Sequence, residues 1–314
     1  MDFSIGFKTE WEVTLTEAKT GRVKLHLPWH KNTILDAGLN RRLTATTHFA
    51  YANGSITVIS LFPYIAIGTG ATDPATTDTQ LVAEVSRKIN NSSLNSYSAS
   101  VASAPYFIVG AQWGTSEGNG DLKEVALCES SSSGILWSRN LFRDGGGNPI
   151  TVTKTTSDIL TVKCKTTIQR ASETPYSVTL DGRTVKGLIL NTGLAHAAGG
   201  GSSSSSWWGV ASRWYAATNN TDPAITQTTY LGTNLGLVQA MVWASAHDGP
   251  SGGFYREGVV TWLSYQGNGS IGEIVGDISS NGSILKSRHT FDAAMVKDDT
   301  KQLEITLRVT LSRV

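Results

Sequence analysis

Residues 72–81 read TDPATTDTQL, and residues 221–231 read TDPAITQTTYL. A loop written twice in one chain is either coincidence or duplication. Duplication requires other landmarks to recur at the same spacing, and they do. GNGDLKEVALC begins at Gly118 and GNGSIGEIVGD at Gly267, so 267 − 118 = 149, as 221 − 72 = 149. GILWSRNLF (134–142) faces SILKSRHTF (283–291), which keeps Arg139/Arg288 and Phe142/Phe291 at the same spacing. SDILTVKCKTTIQR ends at Arg170 and TKQLEITLRVTLSR at Arg313, a spacing of 313 − 170 = 143. The drop of six follows from RDGGGNP (143–149), an insertion in the first copy alone. Upstream, TILDAGLN (33–40) resembles LILNTGLA (188–195). A repeat of this kind decides the architecture before any local reading does.

Period-two alternation is the dominant local signal. Leu303, Ile305, Leu307, Val309 and Leu311 alternate with polar residues, and Leu160, Val162, Cys164, Thr166 and Ile168 echo them. Successive side chains of a strand point to opposite faces, so each run is a strand with one buried face. The expectation is therefore an all-β chain of two tandem, internally duplicated antiparallel β-sandwich domains. Its parts are an N-terminal arm over 1–12, one copy over 13–171 and a second over 172–314, with the boundary near ASETP (171–175). Each copy is expected to end in a three-stranded meander, with SSSSG (130–134) and SSNGS (279–283) as hairpin loops. HKNTILDAGLNRRL (30–43) predicts a short helix with Leu35, Leu39 and Leu43 on one face and Asn32 as its N-cap. TQLVAEVSRKI (79–89) fits a strand or a helical turn. NNSSLNSYSASVASAP (90–105) and AAGGGSSSSSWWG (197–209) read as loops.

Composition narrows the function. The 314 residues carry 16% charged side chains and a formal net charge of +1. That is no electrostatic footprint for nucleic acid or a membrane surface. The first residues, MDFSIGFKTEWEVTL, lack the basic and apolar regions of a signal peptide. The two cysteines, Cys128 and Cys164, have Asp277 and Leu307 as counterparts, so no disulfide between them is expected.

GTSEG (114–118) fits the serine-hydrolase elbow, but Ser116 runs into a β meander rather than a helix. RDGGGNP offers Asp144 and Asn148 to calcium, too little carboxylate for a firm site. A turn is the better reading. Glu124 and Glu273 are paired carboxylates only because the chain is duplicated. A Glu–Arg contact within each copy, to Arg139 and Arg288, accounts for them better. His26 and His30 are four apart in HLPWH, where Pro28 argues against a helix. No catalytic residue, cofactor or metal is assigned. Trp207 and Trp208 follow the Gly/Ser run and are the candidate subunit interface, because large rings anchor contacts.

Three stretches together resemble tailed-bacteriophage structural proteins: IAIGTGATDPATTDTQLVAEVSR, EGNGDLKEVALCESSSSGILWSRNLF and ITVTKTTSDILTVKCKTTI. In that pattern a GTG segment and a D-T-x-L-x-x-E stretch precede an aliphatic–Glu hairpin, a Lys/Thr-rich stretch and a long final strand. The resemblance covers most of residues 30–170. Copy two departs from it, with WYAATNNTDPA in place of IAIGTGATDPA. It implies a non-enzymatic virion component of the tail, collar or fibre region, made in the host bacterial cytoplasm. Its partners would be itself, as a homo-oligomer, and other virion proteins. The alternative is a carbohydrate- or receptor-binding module of a tail fibre, with a host glycan as ligand.

Overall fold

The computed structural model describes residues 2–44, 49–51, 62–98, 106–169, 176–180, 183–188, 203–205, 213–217, 234–238, 242–247, 253–266, 268–277 and 286–314. In chain order the first half holds β1 (Asp2–Glu17), β2 (Val23–Lys31), β3 (Thr33–Ile34), the helix α1 (Asp36–Thr44), β4 (Phe49–Tyr51), β5 (Tyr64–Gly68), β6 (Glu84–Ile89) and β7 (Ser96–Ser98). There follow β8 (Tyr106–Trp113), β9 (Gly120–Leu122), β10 (Glu124–Cys128), β11 (Leu136–Leu141), β12 (Val152–Lys154) and β13 (Asp158–Gln169). The second half holds β14 (Tyr176–Leu180), β15 (Arg183–Leu188), β16 (Ser203–Ser205), β17 (Arg213–Ala217), β18 (Asn234–Val238) and β19 (Val242–His247). It ends with β20 (Phe254–Trp262), β21 (Gly269–Asp277), β22 (Lys286–Lys297) and β23 (Leu303–Arg313). The chain is all-β, with a single α-helix among the described residues.

Strand pairing repeats between the halves. One sheet runs β3-β11-β10-β5-β6, and another contains β15-β22-β21-β17-β18 with β14 added at its edge. Glu124 stands opposite Gly68, and Glu273 opposite Ala217. Ala126 stands opposite Arg139, and Val275 opposite Arg288. All four residues shift by 149. A bulge recurs too, between Ile67 and Gly68 of β5 and between Ala216 and Ala217 of β17. In the large sheet Trp113 faces Leu160 and Trp262 faces Leu303.

The halves also share a sheet. The eight-stranded sheet runs β19-β20-β23-β1-β13-β8-β7, with β2 beside β1. Asp2–Phe7 pair in parallel with Arg308–Arg313, while Gly6–Glu17 pair antiparallel with β13. Residues 2–12, expected as an arm, are thus part of a central strand. Phe7, Thr9, Trp11, Val13 and Leu15 are all buried, and this alternation gives β1 one core face. Side chains of β1, β8 and β13 share one apolar cluster with Ile65, Ile67, Val125, Leu127 and Trp137 of the five-stranded sheet. Val260, Trp262, Leu303 and Ile305 extend the same cluster into the second half.

The five-stranded sheet is covered on its other face as well. Leu35, Ala66, Leu81, Ala126, Cys128 and Leu136 form a smaller cluster there. Every residue of β10 and β11 is buried, which is why neither shows alternation. Leu35, just before α1, and Leu81 of the 69–83 loop supply its covering side chains, whereas Leu39 and Leu43 of α1 join the larger cluster. Leu35, Leu39 and Leu43 are buried as expected, but the helix starts at Asp36, and Asn32 is not its cap. The Oδ1 of Asn32 accepts the Thr33 N–H at 2.7 Å instead. Gly38 lets α1 lie on the β11 backbone, since a Cβ there would sit 2.7 Å from the Trp137 Cα.

Other expectations change. β10 and β11 form a hairpin around 130–134, but β13 crosses to the eight-stranded sheet, so there is no three-stranded meander. Its alternating apolar face fills the space between β1 and β8. TQLVAEVSRKI yields the strand β6, the expected loop at 90–105 contains β7, and Ser203–Ser205 in the Gly/Ser run pair with β4. The proposed boundary at 171–175 and the loop at 279–283 lie outside the described residues.

Candidate functional site

The 72–81 loop is held from beneath by two buried charges. Glu124 is fully buried on β10, and Arg139 is 1% exposed on β11. Arg139 Nε donates to Glu124 Oε2 at 3.1 Å. The remaining carboxylate capacity goes to loop backbone: Gly70 N–H at 3.0 Å, Ala83 N–H at 2.8 Å and Val82 N–H at 3.1 Å. Arg139 reaches the same loop through Asp78 Oδ2 at 2.5 Å and the Thr72 carbonyl at 2.8 Å. A Cβ on Gly70 would stand 2.4 Å from Glu124 Oε1, so the glycine makes room for the carboxylate. The expected Glu–Arg contact is present in the first half, and it fastens a loop. The side chains of Glu273 and Arg288 lie outside the described residues.

Beside this clamp lies a cleft of about 520 Å³, between β2, the TDP turn and the 143–149 insertion. His30, Asn32, Asp73, Asn140, Arg143 and Gly147 line it. Arg143 donates to Asp73 Oδ1 at 2.6 Å and to the Gly147 carbonyl at 2.9 Å, so the insertion and the repeated loop are tied together. Burial lowers the His30 pKa below the ordinary imidazole range, and the carbonyls of Pro28 and Leu141 offset only part of that. The ring is neutral near pH 7, so the charges in the cleft are those of Lys31 and the Arg143–Asp73 pair. Position 292, the counterpart of Arg143 at 143 + 149, is Asp.

A second pair of buried charges lies at the ends of β12 and β22. Lys154 is 1% exposed, and its Nζ donates to the Gly114 carbonyl at 2.7 Å and to Asn119 Oδ1 at 2.8 Å. Lys297 is 3% exposed and donates to the carbonyls of Leu263 and Ser264, at 2.8 and 3.1 Å, and to Asn268 Oδ1 at 2.8 Å. The acceptors correspond, since 268 − 119 = 149, and the lysines correspond, since 297 − 154 = 143. Each lysine pins the turn that follows a buried tryptophan, Trp113 or Trp262. The signal is GNG at positions 149 apart, with a lysine 154 − 118 = 36 residues beyond the first and 297 − 267 = 30 beyond the second, the difference of six being the insertion in the first half.

The remaining candidates lie on turns, on strands or in the core, or outside the described residues. Ser116 lies in a turn between β8 and β9, with no helix after it. Asp144 closes the insertion, its Oδ1 accepting the Gly146 and Asn148 N–H groups at 2.9 Å. Those bonds, that from Asn148 first, hold its pKa low. His26 faces Glu12 at 3.3 Å, and His30 Nδ1 meets the Pro28 carbonyl. Cys128 and Cys164 are buried free thiols. No cluster of metal-ligating side chains occurs among the described residues. Trp207 and Trp208 lie outside them. No described helix is long and apolar enough to cross a membrane. Comparison with known proteins finds no matching family model, curated protein or solved structure.

Proposed function

We propose that this chain is a non-enzymatic structural component of a bacteriophage particle, in its tail, collar or fibre-attachment region. In this reading it consists of two duplicated β-sandwich units and works as a homo-oligomer with other particle proteins. The observation that carries it is the use made of buried charge. Glu124, Arg139, Lys154 and Lys297 each direct their hydrogen bonds at the chain's own loops. Unpaired burial of such groups is costly, so satisfying them inside the fold produces fixed loops, which suit a surface built for assembly. The matched registers at a spacing of 149 support the duplication, and the resemblance of residues 30–170 supports the virion assignment.

The test is to probe purified phage particles with an antibody to this chain and to image the labelled site. Label on the tail, collar or fibre region supports the reading. Absence of the chain from intact particles refutes it. Trp207 and Trp208 are the proposed subunit contact. Replacing both with serine should leave the melting temperature of the isolated chain unchanged and abolish assembly. A collapse of the melting temperature assigns the rings to the core instead. The cleft beside Arg143 favours a second reading, a host-glycan module. Quenching of tryptophan fluorescence by host polysaccharide, lost in Arg143→Ala, would support that one.

A further inference from the structure

The second half borrows a strand. Its first hairpin, β14–β15, repeats that of β1 and β2: VTL stands at 13–15 and 178–180, GR at 21–22 and 182–183, and VK at 23–24 and 185–186. In the first half Val13 and Leu15 stand opposite Val162 and Leu160, so β1 flanks β13. The counterpart of β13 is β23, since 160 + 143 = 303. Yet β14 lies at the edge of the six-stranded sheet, beside β15, and not beside β23. The place beside β23 is taken by Asp2–Phe7, from the other end of the chain and running parallel.

This segment is held differently from the rest of β1. Glu10–Thr16 lie between β13 and β2. Asp2–Ile5 pair with β23 and, among the described residues, with no other strand. Theirs is the one parallel pair among the described strands. Parallel pairing is slightly weaker per residue than antiparallel. The change of partner falls at Gly6, a residue type with wide backbone freedom. Directly after it Phe7 is buried and meets Trp137 edge-on, with ring centroids 5.4 Å apart, so the strand is anchored from there on. Releasing Asp2–Ile5 does not part the halves. Arg313 Nε still donates to the Ile34 carbonyl at 2.8 Å, and Trp262 and Leu303 stay in the shared core.

We propose that Asp2–Gly6 is an exchangeable strand, and that β23 accepts the same segment from a second copy of this chain in the same parallel register. Strand addition is made by backbone N–H and C=O groups, so every copy carries an equivalent donor and an equivalent acceptor. A reciprocal exchange closes a two-fold dimer, and a one-way exchange passes from copy to copy as an open chain. Exchange rests on the homo-oligomer reading and names a contact for it. It requires neither the virion assignment nor a contact through Trp207 and Trp208.

Cysteines at Ser4 and Thr310, which stand opposite each other, read the exchange. Cys128 and Cys164 are buried, which leaves a short bismaleimide to the introduced thiols. The double variant Ser4→Cys/Thr310→Cys should link, within one chain or between chains, and a double variant that never links overturns the register. The single variants Ser4→Cys and Thr310→Cys, co-expressed as full chains with different tags, should give a product of twice the chain mass that joins residues 4 and 310. An excess of the peptide MDFSIGF, residues 1–7, should abolish that product by filling the β23 edge. Variants that oligomerise by light scattering but give no such product overturn the exchange and leave the homo-oligomer reading standing. Chains that stay monomeric overturn both. A cross-chain product that the peptide does not diminish is a contact between whole neighbours and overturns the exchange as well.

Discussion

Glu124 and Arg139 face each other from adjacent strands at 3.1 Å, both shielded from solvent, and together they fasten a loop more than forty residues upstream of the glutamate. Removing one partner of a buried ion pair leaves the other charge uncompensated. Arg139→Ala should therefore destabilise the chain by about 3–5 kcal/mol. A urea titration reads this directly, and a midpoint equal to wild type would show that the pair is dispensable.

Gly70 is the steric counterpart of that pair. A Cβ there meets Glu124 Oε1 at 2.4 Å and the Val82 Cβ at 2.5 Å. Gly70→Ala overpacks the site and should cost about 1–3 kcal/mol. The loss should appear locally, as faster amide exchange at Gly70, Val82 and Ala83, whose N–H groups bind Glu124. Unchanged exchange at these three amides would refute the clamp.

Asp158 sets an acid limit. Burial alone would raise its pKa. The hydrogen bonds from Lys24 Nζ at 2.8 Å and from the Thr155 hydroxyl and N–H, with the Lys24 charge, outweigh burial and hold it at about 2. An unfolded aspartate titrates near 3.9, roughly. The folded value is the lower one, so the carboxylate's contribution is complete above about pH 4 and is lost as the pH falls towards 2. Asp158→Asn should be less stable than wild type at pH 6, with the gap narrowing towards pH 2.5. A gap independent of pH would exclude this linkage.

Cys128 and Cys164 should be inert in the native chain. Burial pushes the Cys128 thiol up to about 12 and raises that of Cys164 as well, so neither supplies thiolate near neutrality. A thiol reagent should label neither cysteine until denaturant is added. Rapid labelling of the folded protein would contradict their placement.

Alternation and repetition made the strand content and the paired landmarks legible in the sequence. Both are written into nearest neighbours or into matched spacing, as at Leu160/Leu303 and Glu124/Glu273. The Glu–Arg contact was legible for the same reason, because both residues recur at 149. The path of β1 was not. Residues 2–7 and 308–313 sit at opposite ends of the chain, and a parallel pair leaves no turn signal between its strands. The coverage of β10 and β11 was equally hidden, since a strand buried on both faces loses the alternation that marks it. Lys154 gave the least warning. A lysine beside threonines reads as a solvated strand end, and only the folding of β12 against β9 brings it under the Gly114–Asn119 turn. The sequence by itself determined the alternating strands, as at Leu160–Ile168 and Leu303–Leu311, and the landmarks matched at 149. Tertiary structure decided which edges meet and which polar groups lose water, because both depend on residues distant in the chain.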